Sequence, residues 1–466
     1  MSETVMQAPV DAALEPPSLG ELDAAHLWHP YTDMSAYADR PLVLVRGDGC
    51  YVEDDAGNRY VDAIAGLWNV QVGHGRREIV AAAAAQLETL PFTPLNGRGH
   101  EPGIRLAEKL VALAPGALRH VFYTTSGAES VEVAIKVARQ YWRNRGRAGR
   151  YKIVDIERAF HGCTLGALSA GGLFEDKQSF EPLAEGFLRI PLPHALRCPH
   201  GQTHSDCATQ CAEALDRLIV QEGPETIAAF LGEPVLGAAG MVVPAPEFWT
   251  RIQEICRRHD ILLMVDEVAM GFGRTGRMFA SEHYGLEPDV LATAKGITSG
   301  YVPLGAVLAT DAVFDEFLGS GREFGHGSTF AGHPVACAAA VANLELIVNE
   351  RLCERAAELG VELLERLRVR LDGCPVVGEV RGLGLAIGID LVDSSGAPLS
   401  RAGELCDRLR ERGILVRPVG WSSVLPMMPP LMIPRATAFA VADAYAEAVW
   451  ELAHELVAEG VELDGR

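Results

Sequence analysis

From about residue 103 onward the chain alternates short apolar runs with amphipathic helical patterns, and few folds accommodate that. The runs are HVFYTT (120–125), KIVDI (152–156), IAAFLGE (227–233), ILLMVDE (261–267), VLATAK (290–295) and LGAVLAT (304–310). They are too short for helices and mostly too continuously apolar for strands with one wet face. Patterns such as AESVEVAIKVARQYW (128–142) and PEFWTRIQEICRRHD (246–260) separate them with helical period. Strands buried on both faces need helices on both faces. The alternation therefore predicts an α/β chain with a mainly parallel central sheet.

The flanks read differently. Residues 42–63 suggest a hairpin meander turning at Ala56-Gly57-Asn58, and 336–466 mix long helices with shorter strands such as GLAIGIDLV (384–392). The expected division is a leader at 1–25, an N-terminal part of a small α+β domain at 26–75, a large domain at 76–335, and the rest of the small domain at 336–466. The leader is acidic and proline-bearing, without a basic start or apolar core, so it reads as a mobile segment rather than a signal peptide. The longest apolar stretch, Val335 to Val348, is interrupted by Asn343 and Glu345 and is too short to span a bilayer.

A net charge of −21 argues against a nucleic-acid partner, which needs a basic face. The expectation is a cytoplasmic protein whose ten cysteines are mostly reduced. One cluster stands apart: CPHGQTHSDCATQC, with Cys198, His200, His204, Cys207 and Cys211. Its ligand types would suit zinc, but its spacing matches no familiar zinc pattern. It is read as a surface loop with incidental thiols, and no metal site is expected.

In open α/β sheets ligands sit outside the carboxyl ends of the strands, so the residues there carry the chemistry. HVFYTT runs into Ser126-Gly127-Ala128, a small-residue turn opening a helix whose free N–H groups suit a phosphate. KIVDI is followed by Phe160 and His161, and ILLMV by Asp266, with Val268 on the same face. Burying the Asp266 carboxylate costs several kcal/mol unless a cation meets it. VLATA ends on Lys295. A ligand with a phosphate, a flat ring, a basic ring nitrogen and an aldehyde satisfies all four. Pyridoxal 5′-phosphate (PLP) is such a molecule: Asp266 would keep its ring nitrogen protonated, Val268 and Phe160 would sandwich the ring, and Lys295 would bond its aldehyde.

On these residues the chain resembles the class III, or ω-, aminotransferases of PLP fold type I. TSGAES (125–130), FHG (160–162), VDEVAMGFGRTG (265–276), AKG (294–296) and GSTFAGHP (327–334) carry the resemblance, which runs from LWHPYTDM (27–34) to LPMMPPLMI (425–433). It implies Lys295 as the Schiff-base lysine, Asp266 as the ring-nitrogen partner, and Ser126, Gly127 and Ala128 as a phosphate cup, with His161 also at the cofactor. It implies Thr329 as a phosphate contact given by a neighbouring subunit, hence a homodimer, or a tetramer of paired dimers, with sites at the subunit interface. Tyr31 and Trp68 are expected near the substrate.

Gly271, Gly273 and Gly276 also spell the G-x-G-x-x-G dinucleotide fingerprint, whose reading would be an NAD-dependent oxidoreductase. Two acids end the preceding strand and no long helix follows, which disfavours it. Within the family, ornithine- and γ-aminobutyrate-type members carry a glutamate where this chain has Ala238, paired with an arginine matched here by Arg417. The pattern resembles amine or ω-amino acid:pyruvate transaminases, with an amine donor, a keto-acid acceptor and Arg417 as the carboxylate clamp. The alternative is 7,8-diaminopelargonate aminotransferase, whose pattern has Trp-Trp at Leu67-Trp68 and an Asp at Cys163.

Overall fold

The structure, a computed structural model, describes residues 16–461 except 174, 176, 202, 203, 421 and 422. Three strands open the chain: β1 (Leu44–Asp48), β2 (Tyr51–Asp54) and β3 (Arg59–Asp62). They form an antiparallel meander whose second turn is at Ala56–Asn58, where Gly57 takes φ +83°. Most of the segment read as a leader lies outside the described residues, but Leu19–His26 form a helix capped by Ser18 and Glu21.

Seven strands make the central sheet: β4 (Leu118–Thr124), β5 (Lys152–Ile156), β6 (Phe187–Ile190), β7 (Ile227–Gly232), β8 (Leu262–Asp266), β9 (Val290–Thr293) and β10 (Gly305–Thr310). Their order is β4-β10-β9-β8-β7-β5-β6. Only β10 runs against its neighbours. The expected mainly parallel sheet is present, with an edge strand, β6, that the sequence reading did not name.

The continuous apolar text of β8 follows from burial on both faces. Leu263 and Val265 pack into a cluster with Phe248, Trp249 and Ile252 of helix Pro246–Arg258. Leu262 and Met264 point the other way, towards Ala134, Ile135 and Ala138 of helix Gly127–Asn144. Alternation with period two assigns each residue to its layer.

The remaining strands are β11 (Val377–Leu383), β12 (Ala386–Leu391), β13 (Ile414–Leu415) and β14 (Val424–Met427). β13 pairs in parallel with β3, which joins the two chain ends in one sheet. Arg274, fully buried, ties these layers together through the carbonyls of Leu385 and Pro429 and the side chain of Gln71. Its neighbours Gly273 and Gly276 face Leu431 and Ala357 so closely that a Cβ would lie 2.7 and 2.8 Å from them. Gly273 and Gly276 are thus packing positions against the C-terminal part of the chain, while Gly271 packs against the Glu267 carbonyl. The element after them is a short 3₁₀ turn, Ala280–Tyr284, rather than a phosphate-binding helix.

The cysteine cluster departs from its reading. Cys207 and Cys211 are buried on helix His204–Glu222, and Cys207 is disulfide-bonded to Cys198. The other eight cysteines are free. The loop before this helix is anchored to β12 by Arg197, which donates to both oxygens of buried Asp390 at 2.6 and 2.8 Å. Among the described residues no helix is long and apolar enough to cross a membrane.

Candidate active site

Neighbouring strands in a sheet lie about 4.8 Å apart, so residues at their carboxyl ends become one surface. Across β9, β8, β7 and β5 those ends carry Lys295, Asp266, Glu233, and Asp155 with the following Phe160-His161 loop. They open onto a cavity of about 340 Å³, a size suited to a cofactor. Ser126, Gly127, Ala128, Phe160, His161, Asp266, Val268, Lys295 and Trp68 all line it, as does Ala238. Local pattern and topology together gather nine of the twelve residues singled out from the sequence.

The Ser126 side chain caps helix Gly127–Asn144 by accepting from Glu129 N at 3.2 Å. The turn before it is fixed by Thr125, whose N and Oγ1 both donate to the Glu129 carboxylate at 2.6 Å. The first N–H groups of this long helix therefore face the cavity with no intrahelical partner. Backbone approach here depends on glycine. A Cβ on Gly127 would stand 2.6 Å from Val268 Cγ1, and one on Gly162 2.4 Å from the Ala128 Cβ.

Asp266 is almost wholly buried. Its Oδ1 accepts from Val268 N at 2.8 Å and its Oδ2 from His161 Nδ1 at 2.6 Å. Glu233 is buried beside it and accepts from Phe160 N at 3.0 Å and Gly237 N at 3.2 Å. Burial pushes its carboxyl up to about 7, with His161 opposing and Asp266 adding to the rise.

Lys295 adopts φ +43°, a left-handed backbone that costs about 1 kcal/mol or more for a side chain with a Cβ. Its Nζ lies 4.9 Å from the centre of the Trp68 ring. Burial lowers the Lys295 ammonium below its ordinary pKa, Asp266 and Glu233 pull it back, and the Arg417 charge adds to the lowering. Burial thus eases loss of the ammonium proton relative to a lysine in water.

Trp68 is held at φ +63° in a kinked turn. Asp62, at the end of β3, accepts from Gly66 N at 2.7 Å and sets that turn. The buried indole Nε1 of Trp68 has no hydrogen-bond partner among the described residues.

Three expected residues lie elsewhere. Thr329 and Arg417 are exposed and neither lines the cavity. Tyr31 is also exposed, and its hydroxyl lies 2.8 Å from Cys163 Sγ. Two acids escaped the sequence reading, Glu233 and Asp155. Both carry the signal that exposed Asp266, a carboxylate at the end of a buried apolar run.

The residues present fit PLP. A helix N-terminus pared by glycine suits a phosphate, Phe160 and Val268 supply walls for a flat ring, Asp266 suits a ring cation, and the buried Lys295 amine suits an aldehyde.

Comparison with known proteins agrees. The family model described as Aminotransferase class-III matches residues 34–449. An adenosylmethionine-8-amino-7-oxononanoate aminotransferase of Geobacter sulfurreducens is 39% identical over 427 residues, 89% of this chain and 94% of that protein. A putrescine–pyruvate aminotransferase of Pseudomonas aeruginosa is 35% identical over 419 residues, 88% of this chain and 91% of that protein. The solved structure of a thermostable (S)-enantioselective omega-transaminase from Thermomicrobium roseum superposes with a TM-score of 0.89 at 44% identity, covering 92% of this chain and 97% of that one. The chain belongs to the class III aminotransferases, PLP-dependent enzymes of fold type I.

Proposed function

We propose that this transaminase moves an amino group from an amine or ω-amino acid to a keto acid, pyruvate, in two half-reactions at one site. The observation that carries the reading is Ala238 in the cavity wall, at the position where ornithine- and γ-aminobutyrate-type members of the family carry a glutamate. With alanine there, Arg417 has no hydrogen bond or ion pair to a carboxylate among the described residues, yet its charge is felt at Lys295. An arginine without an internal acid is available to a substrate carboxylate. The putrescine–pyruvate relative favours the same acceptor.

PLP supplies an electron sink for the pair released when the donor carbon loses its proton. The chain's own groups do the rest. The N–H groups at Gly127 and Ala128 would hold the phosphate, Asp266 would hold a proton on the ring nitrogen, and Phe160 and Val268 would wall the flat ring. Lys295 Nζ would bond the aldehyde and, as a free amine, would act as the base that takes the proton from the donor carbon. Trp68 covers the lysine and limits the bulk of the donor.

The site reading also requires a second copy of the chain. Thr329 and its neighbour Phe330, which is 60% exposed, lie outside their own cavity, and Trp28 is 89% exposed. A homodimer would bury this apolar surface and bring Thr329 to the partner's phosphate cup.

The test separates the half-reactions of Arg417→Ala. Arg417 is exposed in the single chain, so the pair would need the substrate and the second copy of the chain to shelter it; loss of such a bidentate arginine–carboxylate pair costs about 2–4 kcal/mol. The apparent KM for pyruvate should therefore rise roughly thirtyfold or more. Single-turnover transfer from an amine without a carboxylate, such as 1-phenylethylamine, should change by only about threefold. Equal losses in both would refute the clamp. The second reading, 7,8-diaminopelargonate aminotransferase, is favoured by the Geobacter relative. Its outcome is transfer to 8-amino-7-oxononanoate with adenosylmethionine as donor, in preference to pyruvate.

A further inference from the structure

Asp155 is fully buried within β5, and a carboxylate there needs compensation. Neither of its oxygens accepts a hydrogen bond among the described residues. Its one ion-pair contact among the described residues is His161 Nε2, 3.2 Å from Oδ2. The opposite ring nitrogen, Nδ1, stands 2.6 Å from Asp266. One imidazole, itself fully buried, is thus held between two acids that come from strands separated by β7.

The geometry poses a charge problem. Asp266 would face two cations, an imidazolium on one side and the cofactor's ring nitrogen on the other, and a single carboxylate cannot balance both. A second carboxylate behind the histidine makes an alternating array of acid, imidazolium, acid and ring cation, with no net charge. Asp155 is that second carboxylate.

We propose that Asp155 is a positioning residue that locks His161 in its doubly protonated form, so that Asp266 meets the cofactor's ring nitrogen with constant charge across neutral pH. The inference rests on the assignment of Asp266 made above. Burial lowers the proton affinity of His161, but Asp155, chiefly by its charge, and then Asp266 hold the proton well above the ordinary histidine range. The other charges around the imidazole do not replace Asp155. Glu233 reaches it only electrostatically and is itself pushed up to about 7 by burial. Lys295 lies on the far side of Asp266 in the sheet order. Lys177 and Arg189, which sense the Asp155 charge, direct their N–H groups to the carbonyls of Ser169 and Gly171.

Asp155→Asn tests the proposal while conserving shape. The amide can donate to Nε2 of a neutral imidazole, which can still donate from Nδ1 to Asp266, so the charge changes while the shape is kept. With one acid gone, burial and the remaining carboxylate oppose each other, and His161 should lose its second proton at a lower pH than in the wild type. Nitrogen-15 NMR of the apoprotein, assigned by His161→Gln, should show both ring nitrogens protonated in the wild type at about pH 8 and only one in Asp155→Asn.

PLP titration of the apoprotein gives the second readout. The variant should bind about tenfold more weakly than wild type near pH 6, where its imidazolium competes for Asp266, and within about threefold near pH 8. In an Asp266→Asn background that pH dependence should vanish. A singly protonated His161 in the wild type would overturn the proposal, and this measurement stands even if Asp155→Asn does not fold. A pH-independent affinity ratio, or the same profile without Asp266, would overturn it too. If instead Asp266→Asn alone leaves PLP affinity and turnover unchanged, the assignment of Asp266 itself is wrong.

Discussion

Gly162→Ala is the substitution that most sharply interrogates the phosphate cup. Gly162 sits in the cavity wall at φ +124°, a backbone region essentially closed to side chains and worth about 1–3 kcal/mol of strain in alanine. The added Cβ would also lie 2.4 Å from the Ala128 Cβ and 2.8 Å from its Cα, and backbone cannot yield as a flexible side chain does. Overpacking of this kind costs about 1–3 kcal/mol. The least costly relief is a shift of Ala128 and the first turn of its helix, which moves the N–H groups that hold phosphate. If about 2 kcal/mol of the combined strain is expressed at the cup, PLP affinity falls roughly thirtyfold.

Titration of the apoprotein with PLP, followed by absorbance, measures this directly. Gly57→Ala is the control, because Gly57 has a positive φ of +83° but nothing within 4 Å of its Cβ position. That variant should lose a little stability and keep its cofactor affinity. A Gly162→Ala protein that binds PLP as tightly as wild type would refute the argument that this glycine sets the position of the cup.

Asp390→Asn should destabilise the fold by about 3–5 kcal/mol, because buried Arg381 and Arg197 both converge on that carboxylate; a denaturation midpoint displaced by less than about 1 kcal/mol would show the network to be dispensable. Glu267 is fully buried with its carboxylate accepting from Ala280 N, Ser281 N and Ser281 Oγ, and burial pushes it up to about 7. The folded chain then binds more protons than the unfolded chain between about pH 4.5 and 7, so stability should fall as pH rises across that window, by roughly 1 kcal/mol per pH unit for this group. Glu267→Gln should flatten that slope in the apoprotein, and an unchanged slope would count against the assignment.

The strands were legible because β7 and β8 lie deep in the sheet and their burial on both faces leaves a continuous apolar text. β6 was not, since FLRI is a four-residue edge strand with a charge inside it and less burial to enforce a pattern. Asp266 and Lys295 were legible as polar residues ending apolar runs. Asp155 and Glu233 carried the same mark, but their meaning lies in contacts across the sheet: the partners His161 and Asp266 are 105 positions apart. No local periodicity encodes such a pairing. The Cys198–Cys207 bond escaped for a related reason, because the spacing was weighed against metal sites and the helix start at His204 was not seen. The dinucleotide fingerprint misleads because glycines that let Leu431 and Ala357 approach look the same in sequence as glycines that let a phosphate approach.

The central claim is that Lys295, at the end of β9 and across from Asp266, is the residue that bonds PLP. Borohydride reduction of the PLP-loaded enzyme, followed by digestion and mass spectrometry, tests it in one step. The account expects a phosphopyridoxyl group on the peptide containing Lys295, and none on that peptide in Lys295→Ala. A label on another lysine, such as the buried Lys177, or no label on a protein that carries PLP, would contradict it.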